Sequence, residues 1–239
     1  MYKSSNFDLR SAKIDMIIIH YTGMESAVEA LERLCDTSSK VSAHYLIDEN
    51  GKLYELVDPV NRAWHAGVSY WRGRESINNN SIGIELVNPG HEFGYRNFPK
   101  IQMDVLVRLL QKLIKKYSIP NYNILGHSDI ACARKTDPGE LFDWKYLYQN
   151  NIGLYHDVEL MYPVIIEPTI DVITSLQINL MNIGYKIEQT SVLDTQTIKV
   201  FEAFKRHFYP EYGINNIIDN NFIDIVTDLL YKVNSLAQN

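Results

Sequence analysis

MIIIHYT, residues 16–22, decides how the rest of the chain is read. Four apolar residues, three of them β-branched, run into a polar cluster. That is the pattern of a strand buried on both faces. Such strands sit centrally in α/β sheets and carry functional side chains at their carboxyl ends. His20 stands at that end. The neighbouring segments fit the same frame. ESAVEALERL (25–34) puts Val28, Leu31 and Leu34 at helical spacing. SAHYLIDENGKLYELV (42–57) has two strand-like runs around Asn50-Gly51, a hairpin signal because both residues tolerate positive φ. SIGIELV (81–87) alternates, with Ile82, Ile84 and Leu86 on one face and Ser81, Gly83, Glu85 and Val87 on the other. FPKIQMDVLVRLLQKLIKKYSIP (98–120) is a helix opened near Pro99 and stopped by Pro120. NILGH (123–127) is a further short strand delivering His127. The class this predicts is α/β: a mixed central sheet flanked by helices.

Residues 1–150 hold that unit. Residues 151–168 carry two prolines and no periodicity and read as a linker. Residues 169–239 read as a second, small three-helix domain. Ile173, Leu176, Leu180 and Ile183 form one stripe, Ile198, Phe201 and Phe204 or Phe208 a second, and NFIDIVTDLLYKV fits a third helix.

The bulk numbers exclude several classes. With 239 residues, 46% hydrophobic and 22% charged, the chain is globular. A net charge of −6 and a pI near 5.6 argue against a general nucleic-acid binder. Two cysteines, Cys35 and Cys132, make no disulfide framework. The opening MYKSSNFDLRSAK lacks the apolar core of a signal peptide, and the four-residue run MIII is too short for a membrane span. The expectation is a soluble, cytoplasmic chain, or a periplasmic or wall-associated one if an export signal has been removed. Oligomeric state has no signature in the sequence.

The chemistry concentrates in GHSDIACARKTDPG (126–139), which holds His127, Asp129, Cys132, Lys135 and Asp137. His20 and His127 both close predicted strands, and strand ends on one sheet edge can meet although 107 residues separate them. Two imidazoles and a carboxylate make a catalytic zinc set with one position open. Asp137 and Asp129 are the candidate carboxylates, with Cys132 a softer rival. Pro138 biases Asp137 toward extended geometry, where Lys135 and Asp137 point the same way. Lys135 would not bind the metal but would stabilise negative charge on a substrate oxygen. Glu85, beside small residues, would receive a proton from water and pass it to a leaving amine. Each residue also has a plain structural role to set against this. Strand-end histidines are often internally bonded, Asp137 before Pro-Gly can cap a helix, and Lys135 can be a solvated cation.

In this order, IIIHYT, SAHYLIDENGKLYELV, AWHAG, SIGIELVN and GHSDIACARKTDPG resemble the zinc-dependent N-acetylmuramoyl-L-alanine amidases over about residues 13–149. That superfamily also contains phage lysozyme-type amidases and peptidoglycan recognition proteins. The resemblance implies one zinc per chain in a surface groove, with His20, His127 and Asp137 as ligands, Glu85 as catalytic glutamate and Lys135 as catalytic lysine. It implies that the segments of His44 and of Trp64-His65 border the substrate groove. His44 itself reads as an internally bonded strand residue. Asn88 and the loop WRGR (71–74) are further candidates for holding a carboxylated peptide. The tail, with Leu176-Gln177, Gly184-Tyr185 and Asp194 to Thr197, resembles the small peptidoglycan-binding domain, but DNNFIDIVTDLL lacks that family's usual glycines. The expected partners are peptidoglycan or muropeptide fragments. The expected reaction cleaves the bond between N-acetylmuramic acid, or its 1,6-anhydro form, and L-alanine. The alternative is a non-catalytic peptidoglycan recognition protein.

Overall fold

The computed structural model describes residues 2–237; the predicted helical domain's last two residues lie outside them. In chain order the strands are β1 Phe7–Leu9, β2 Met16–Tyr21, β3 Tyr45–Ile47, β4 Leu53–Glu55, β5 Asn61–Ala63, β6 Tyr70–Trp71, β7 Arg74–Glu75, β8 Ser81–Leu86 and β9 Ile124–Gly126. The helices are α1 Ala27–Cys35, α2 Gly90–Phe93, α3 Lys100–Tyr117, α4 His127–Ile130, α5 Trp144–Gln149, α6 Ile170–Ile183, α7 Thr195–Phe208 and α8 Asn220–Ala237. A five-stranded mixed sheet, ordered β4-β3-β8-β2-β9, forms the centre. β2 runs parallel to both neighbours, and only the β3–β4 hairpin is antiparallel. This accounts for the continuous apolar run: Met16 to Ile19 have no solvent-facing side.

The hairpin is longer than a two-residue turn. Of the Asn50-Gly51 pair only Gly51 takes positive φ (84°), and its N–H closes onto the Asp48 carbonyl at 2.8 Å. α3 lays Met103, Leu106, Leu110 and Leu113 into the main core. Its Gln102 donates to the Ile47 and Val87 carbonyls at 2.9 and 3.0 Å, tying off the ends of β3 and β8. Pro99 is the N-cap residue, and Ser118 ends the helix at φ 55°. Ser26 and Glu29 cap α1 reciprocally. α1 packs Ala30, Leu31 and Leu34 onto Leu46, Leu56 and Val87. Val28, expected in that stripe, is exposed, because the short helix packs inward along Ala27, Ala30, Leu31, Leu34 and Cys35.

The C-terminal helices bury the predicted stripe Ile173, Leu176, Leu180 and Ile183 together with Phe201, Phe204 and Phe208. Their side chains join one continuous core with β2, β9 and α3. Residues 151–168 are irregular and run along α8, held by an Asp157–Lys232 ion pair at 2.8 Å, by Asn221 bonding the backbone of Met161, and by a bridge from Ile165 to Asp219. The WRGR loop lies at this junction, away from the site described below. Trp71 stacks edge-on to Tyr185 at 5.0 Å, Arg72 donates to the Ile183 carbonyl at 2.9 Å, and Arg74 pairs with Asp15 at 2.6 Å. A side chain at Gly184 would lie 2.8 Å from Trp71, so this close approach needs glycine. Among the described residues no helix is long and apolar enough to cross a membrane.

Candidate metal centre

Register brings the site together. His20 on β2 lies opposite Glu85 on β8, and Ile19 lies opposite Gly126 on β9, so His127 begins one step beyond. Three adjacent parallel strands therefore deliver His20, Glu85 and His127 at their carboxyl ends. Asp137 returns to this edge because the Ser128 N–H donates to its carbonyl at 2.9 Å. The Asp137 Oδ2 lies 3.0 Å from His20 Nδ1 and 3.1 Å from His127 Nδ1, and the two Nδ1 atoms are 3.0 Å apart. All three residues are buried, and among the described residues they form the one His/Cys/Asp/Glu group placed to share an ion. They lie in an open groove of about 660 Å³ that Tyr21, Trp64, His65, Glu85, Arg134 and Lys135 also line.

Surrounding hydrogen bonds fix which ring nitrogens carry hydrogen. His127 Nε2 faces the Ala66 carbonyl at 3.1 Å, with Arg134 Nη2 further off at 3.4 Å, and the nearer acceptor favours the hydrogen on Nε2 and the lone pair on Nδ1. On the other side the Ser81 hydroxyl donates to the Ile77 carbonyl at 2.7 Å and so accepts from His65 Nε2 at 3.1 Å. His65 Nδ1 is then the acceptor for His20 Nε2 at 3.0 Å, and His20 Nδ1 keeps its lone pair. Two lone pairs and a carboxylate oxygen thus converge within about 3 Å with no donor between them. Burial and the neighbouring His127 lower the His20 pKa to about 4, so at neutral pH that ring is uncharged and carries one N–H, the one its Nε2 turns to His65. An arrangement of three acceptors around a common point fits a cation, with outer partners orienting each ring.

Glu85 completes the groove floor. Its Oε2 is buried without a hydrogen-bond partner, and burial, then the Asp137 charge, push its pKa well above the usual value. The Lys135 ammonium, which also lines the groove, opposes that shift. A carboxylate with an unengaged buried oxygen is ready to take a proton from a molecule entering the groove.

The other sequence candidates fall in different places. Trp64 lines the groove, and its indole N–H donates to Asp8 at 2.6 Å. His65 lines it too, but both ring nitrogens are engaged behind His20. His44 is fully buried behind the groove. Its Nδ1 accepts from the Gly83 N–H at 3.0 Å, and its Nε2 faces the Arg10 guanidinium at 3.0 Å and the Asn61 carbonyl at 3.2 Å. Asn88 is also fully buried, donating to the Arg96 carbonyl at 2.7 Å and accepting from the Gly90 N–H at 3.1 Å. Neither side chain lines the groove: Asn88 spends its polar atoms on backbone, and His44 on backbone and on Arg10. Asp129 is committed away from the groove, and the Cys132 thiol bonds the Asp129 carbonyl at 3.3 Å. Arg134, Ser81 and the Ala66 carbonyl carry no sequence signal as site residues. Arg134 Nη2 donates to Ala66 at 2.6 Å and to Val68 at 2.7 Å, clamping the carbonyl that orients His127.

His65 can sit there because Gly83 has no side chain: a Cβ at Gly83 would fall 2.3 Å from His65 Cγ. Gly83→Ala should therefore expel His65 from behind His20 and cost about 1–3 kcal/mol through overpacking. Urea unfolding combined with metal titration checks this. A variant with parent-like stability and metal affinity would contradict it.

Two buried imidazoles also set an acid limit. Burial lowers His20 to about 4, and burial with the nearby Arg10 cation lowers His44 to about 3, both from 6.5. Lowered values mean that the unfolded chain takes up these protons first as pH falls. Their stabilisation is complete above about pH 6.5 and is lost progressively toward pH 4 and 3. The urea midpoint of the chelator-treated protein should drop steadily from pH 7 to pH 4, and a flat midpoint over that range would refute the assignment.

Comparison with known proteins agrees with this geometry. The profile of the N-acetylmuramoyl-L-alanine amidase family (Amidase_2) matches residues 10–140. The N-acetylmuramoyl-L-alanine amidase AmiD of Escherichia coli (strain K12) is 35% identical over 215 residues, 83% of this chain and 76% of that protein. The solved complex of E. coli AmiD with the substrate anhydro-N-acetylmuramic acid-L-Ala-D-γ-Glu-L-Lys superposes with a TM-score of 0.80 at 31% identity, over 94% of this chain and 92% of that one. AmpDh3 from Pseudomonas aeruginosa, solved with anhydromuramic pentapeptide, superposes with a TM-score of 0.79 at 29% identity, over 92% of each chain. The likeness continues past the groove into the three C-terminal helices, and the chain belongs to the N-acetylmuramoyl-L-alanine amidase family.

Proposed function

We propose that this amidase, with one zinc ion held by His20, His127 and Asp137, cleaves the amide between N-acetylmuramic acid, intact or 1,6-anhydro, and the L-alanine of the stem peptide. The supporting observation is the convergence of three acceptors with no donor between them. Imidazole, imidazole and carboxylate with an open fourth position is a donor set of catalytic zinc. When bound, zinc supplies Lewis acidity, polarising a carbonyl and lowering the pKa of water toward about 7. Glu85 takes the proton released by the attacking water and returns it to the departing amine of L-alanine, leaving a free carboxylate on the muramyl lactyl group. Lys135 steadies the oxygen that gains negative charge. Trp64 offers a flat wall for sugar or peptide, and His65 holds His20 in its working tautomer. His44 and Asn88 keep the groove backbone in shape. Residues 1–150 form the catalytic unit, 151–168 connect it, and 169–239 form a unit resembling peptidoglycan-binding domains. Like the anhydromuramyl peptides bound by AmiD and AmpDh3, the ligands here are muropeptides or peptidoglycan fragments.

One preparation split three ways tests this: as purified, stripped with chelator, and stripped then refilled with zinc. Each portion meets a defined anhydromuropeptide and its intact counterpart, and mass spectrometry looks for a free peptide beginning at L-alanine. Cleavage should vanish on stripping and return with zinc. Zinc-loaded protein that binds the muropeptide without cutting it would make the groove a receptor.

A further inference from the structure

Asp129 takes no part in the groove chemistry, yet it is almost wholly buried and fully bonded. Its Oδ2 accepts from the Gly126 N–H at 2.8 Å and from His207 Nδ1 at 2.7 Å, and its Oδ1 accepts from the Tyr185 hydroxyl at 2.7 Å. Both side-chain donors come from the C-terminal helical segment: Tyr185 follows α6, and His207 lies in the last turn of α7. The His207 ring stacks on Trp144 at 3.7 Å, and its other nitrogen has no partner, so the ring's polar chemistry is spent on Asp129. Asp129 grips the loop carrying the proposed ligands. Gly126 immediately precedes His127, and Ser128 bonds the Asp137 backbone. A Cβ at Gly126 would fall 2.7 Å from Pro138 and 3.2 Å from Trp144, so the residue after Asp137 packs against the same cluster.

We infer that Tyr185 and His207 are positioning residues of the metal centre, acting through Asp129 to hold His127 and Asp137 at the spacing the ion requires. The helical segment thereby completes the catalytic site from behind. The inference rests on the zinc assignment above. Removing a direct outer partner of a metal ligand typically costs about 10–100-fold in metal affinity, and Tyr185 and His207 act one shell further out, through Asp129, so the smaller end of that range applies.

The experiment uses the full chain. Tyr185→Phe deletes one hydroxyl, and His207→Phe keeps the stack on Trp144 without the donor. His207→Asn retains an N–H donor near the Nδ1 position. Arg72→Ala is the control: it removes a bond across the same junction and touches neither Asp129 nor the groove. Zinc affinity is read by competition with a chromophoric chelator, the ligand field by the visible spectrum of the cobalt-loaded protein, and stability by the urea midpoint of the metal-free form. Tyr185→Phe and His207→Phe should each weaken zinc by about 10-fold, the lower end for outer partners, and shift the cobalt bands. His207→Asn should recover part of the loss. Arg72→Ala should lower the midpoint and leave affinity and bands alone. Unchanged affinity and bands in both Phe variants would overturn the inference, as would an equal loss in Arg72→Ala. A parent protein that binds neither ion would overturn the zinc assignment itself, and this inference with it.

Discussion

Asp137→Ala is expected to hold no zinc at concentrations that saturate the parent, and to lose at least about 1000-fold in rate, since a catalytic metal contributes several kcal/mol. Asp137 is the one anionic member of the triad, and its Oδ2 faces both inward nitrogens. Without it two imidazoles remain with their Nδ1 atoms 3.0 Å apart, held there by Ala66 on one side and the His65–Ser81 relay on the other. Those rings cannot turn to make a better pair of ligands without breaking their outer bonds. His20→Ala should behave the same way. Elemental analysis after dialysis against zinc, with melting temperature followed as zinc is added, checks both. The parent's melting temperature should rise with zinc and the variants' should not. Stoichiometric zinc retained by Asp137→Ala would pass the third ligand to another group, with Glu85 the first to test because it shares the groove floor.

Glu85→Gln and Lys135→Ala should do the opposite, keeping the metal and losing the chemistry. Gln keeps the size of Glu85 but cannot accept a proton, and proton transfer by a placed carboxylate contributes roughly 100–10,000-fold. Lys135→Ala removes charge stabilisation worth about 100–1000-fold. Both losses should fall on kcat with KM little changed, the pattern of an interaction made only in the transition state. The raised Glu85 pKa adds a second handle. Burial and Asp137 push it up while Lys135 pulls it down, so Lys135→Ala should raise it further and move the acid limb of the rate profile to higher pH. Parent-like turnover in either variant would end the role assigned to that residue. A metal-free Glu85→Gln would instead make Glu85 a ligand.

By itself the sequence determined the elements and where the chemistry concentrates. The apolar run of MIIIHYT reads as a doubly covered strand ending in histidine, NILGH reads as a second short strand ending in another, and strand ends on one sheet edge can bring two imidazoles together. Pro138 favours Asp137 over Asp129 through a backbone preference that needs no tertiary contact. Helix stripes and the Asp194 cap were legible for the same reason: periodicity and capping are local. What only the tertiary structure decided is what stands behind each side chain. His65 serves His20 because Gly83 leaves room for its ring, and nothing near AWHAG announces that. The WRGR loop, expected beside a peptide, is spent on Ile183 and Asp15. His44 and Asn88 turn inward to the backbone, whereas Asp129, passed over as a ligand, collects Tyr185 and His207 from residues 56 and 78 positions away. Such partnerships join segments far apart in the chain, so they leave no period or motif to read. They exist only once burial has removed water and each polar atom must find its partner in the packed interior.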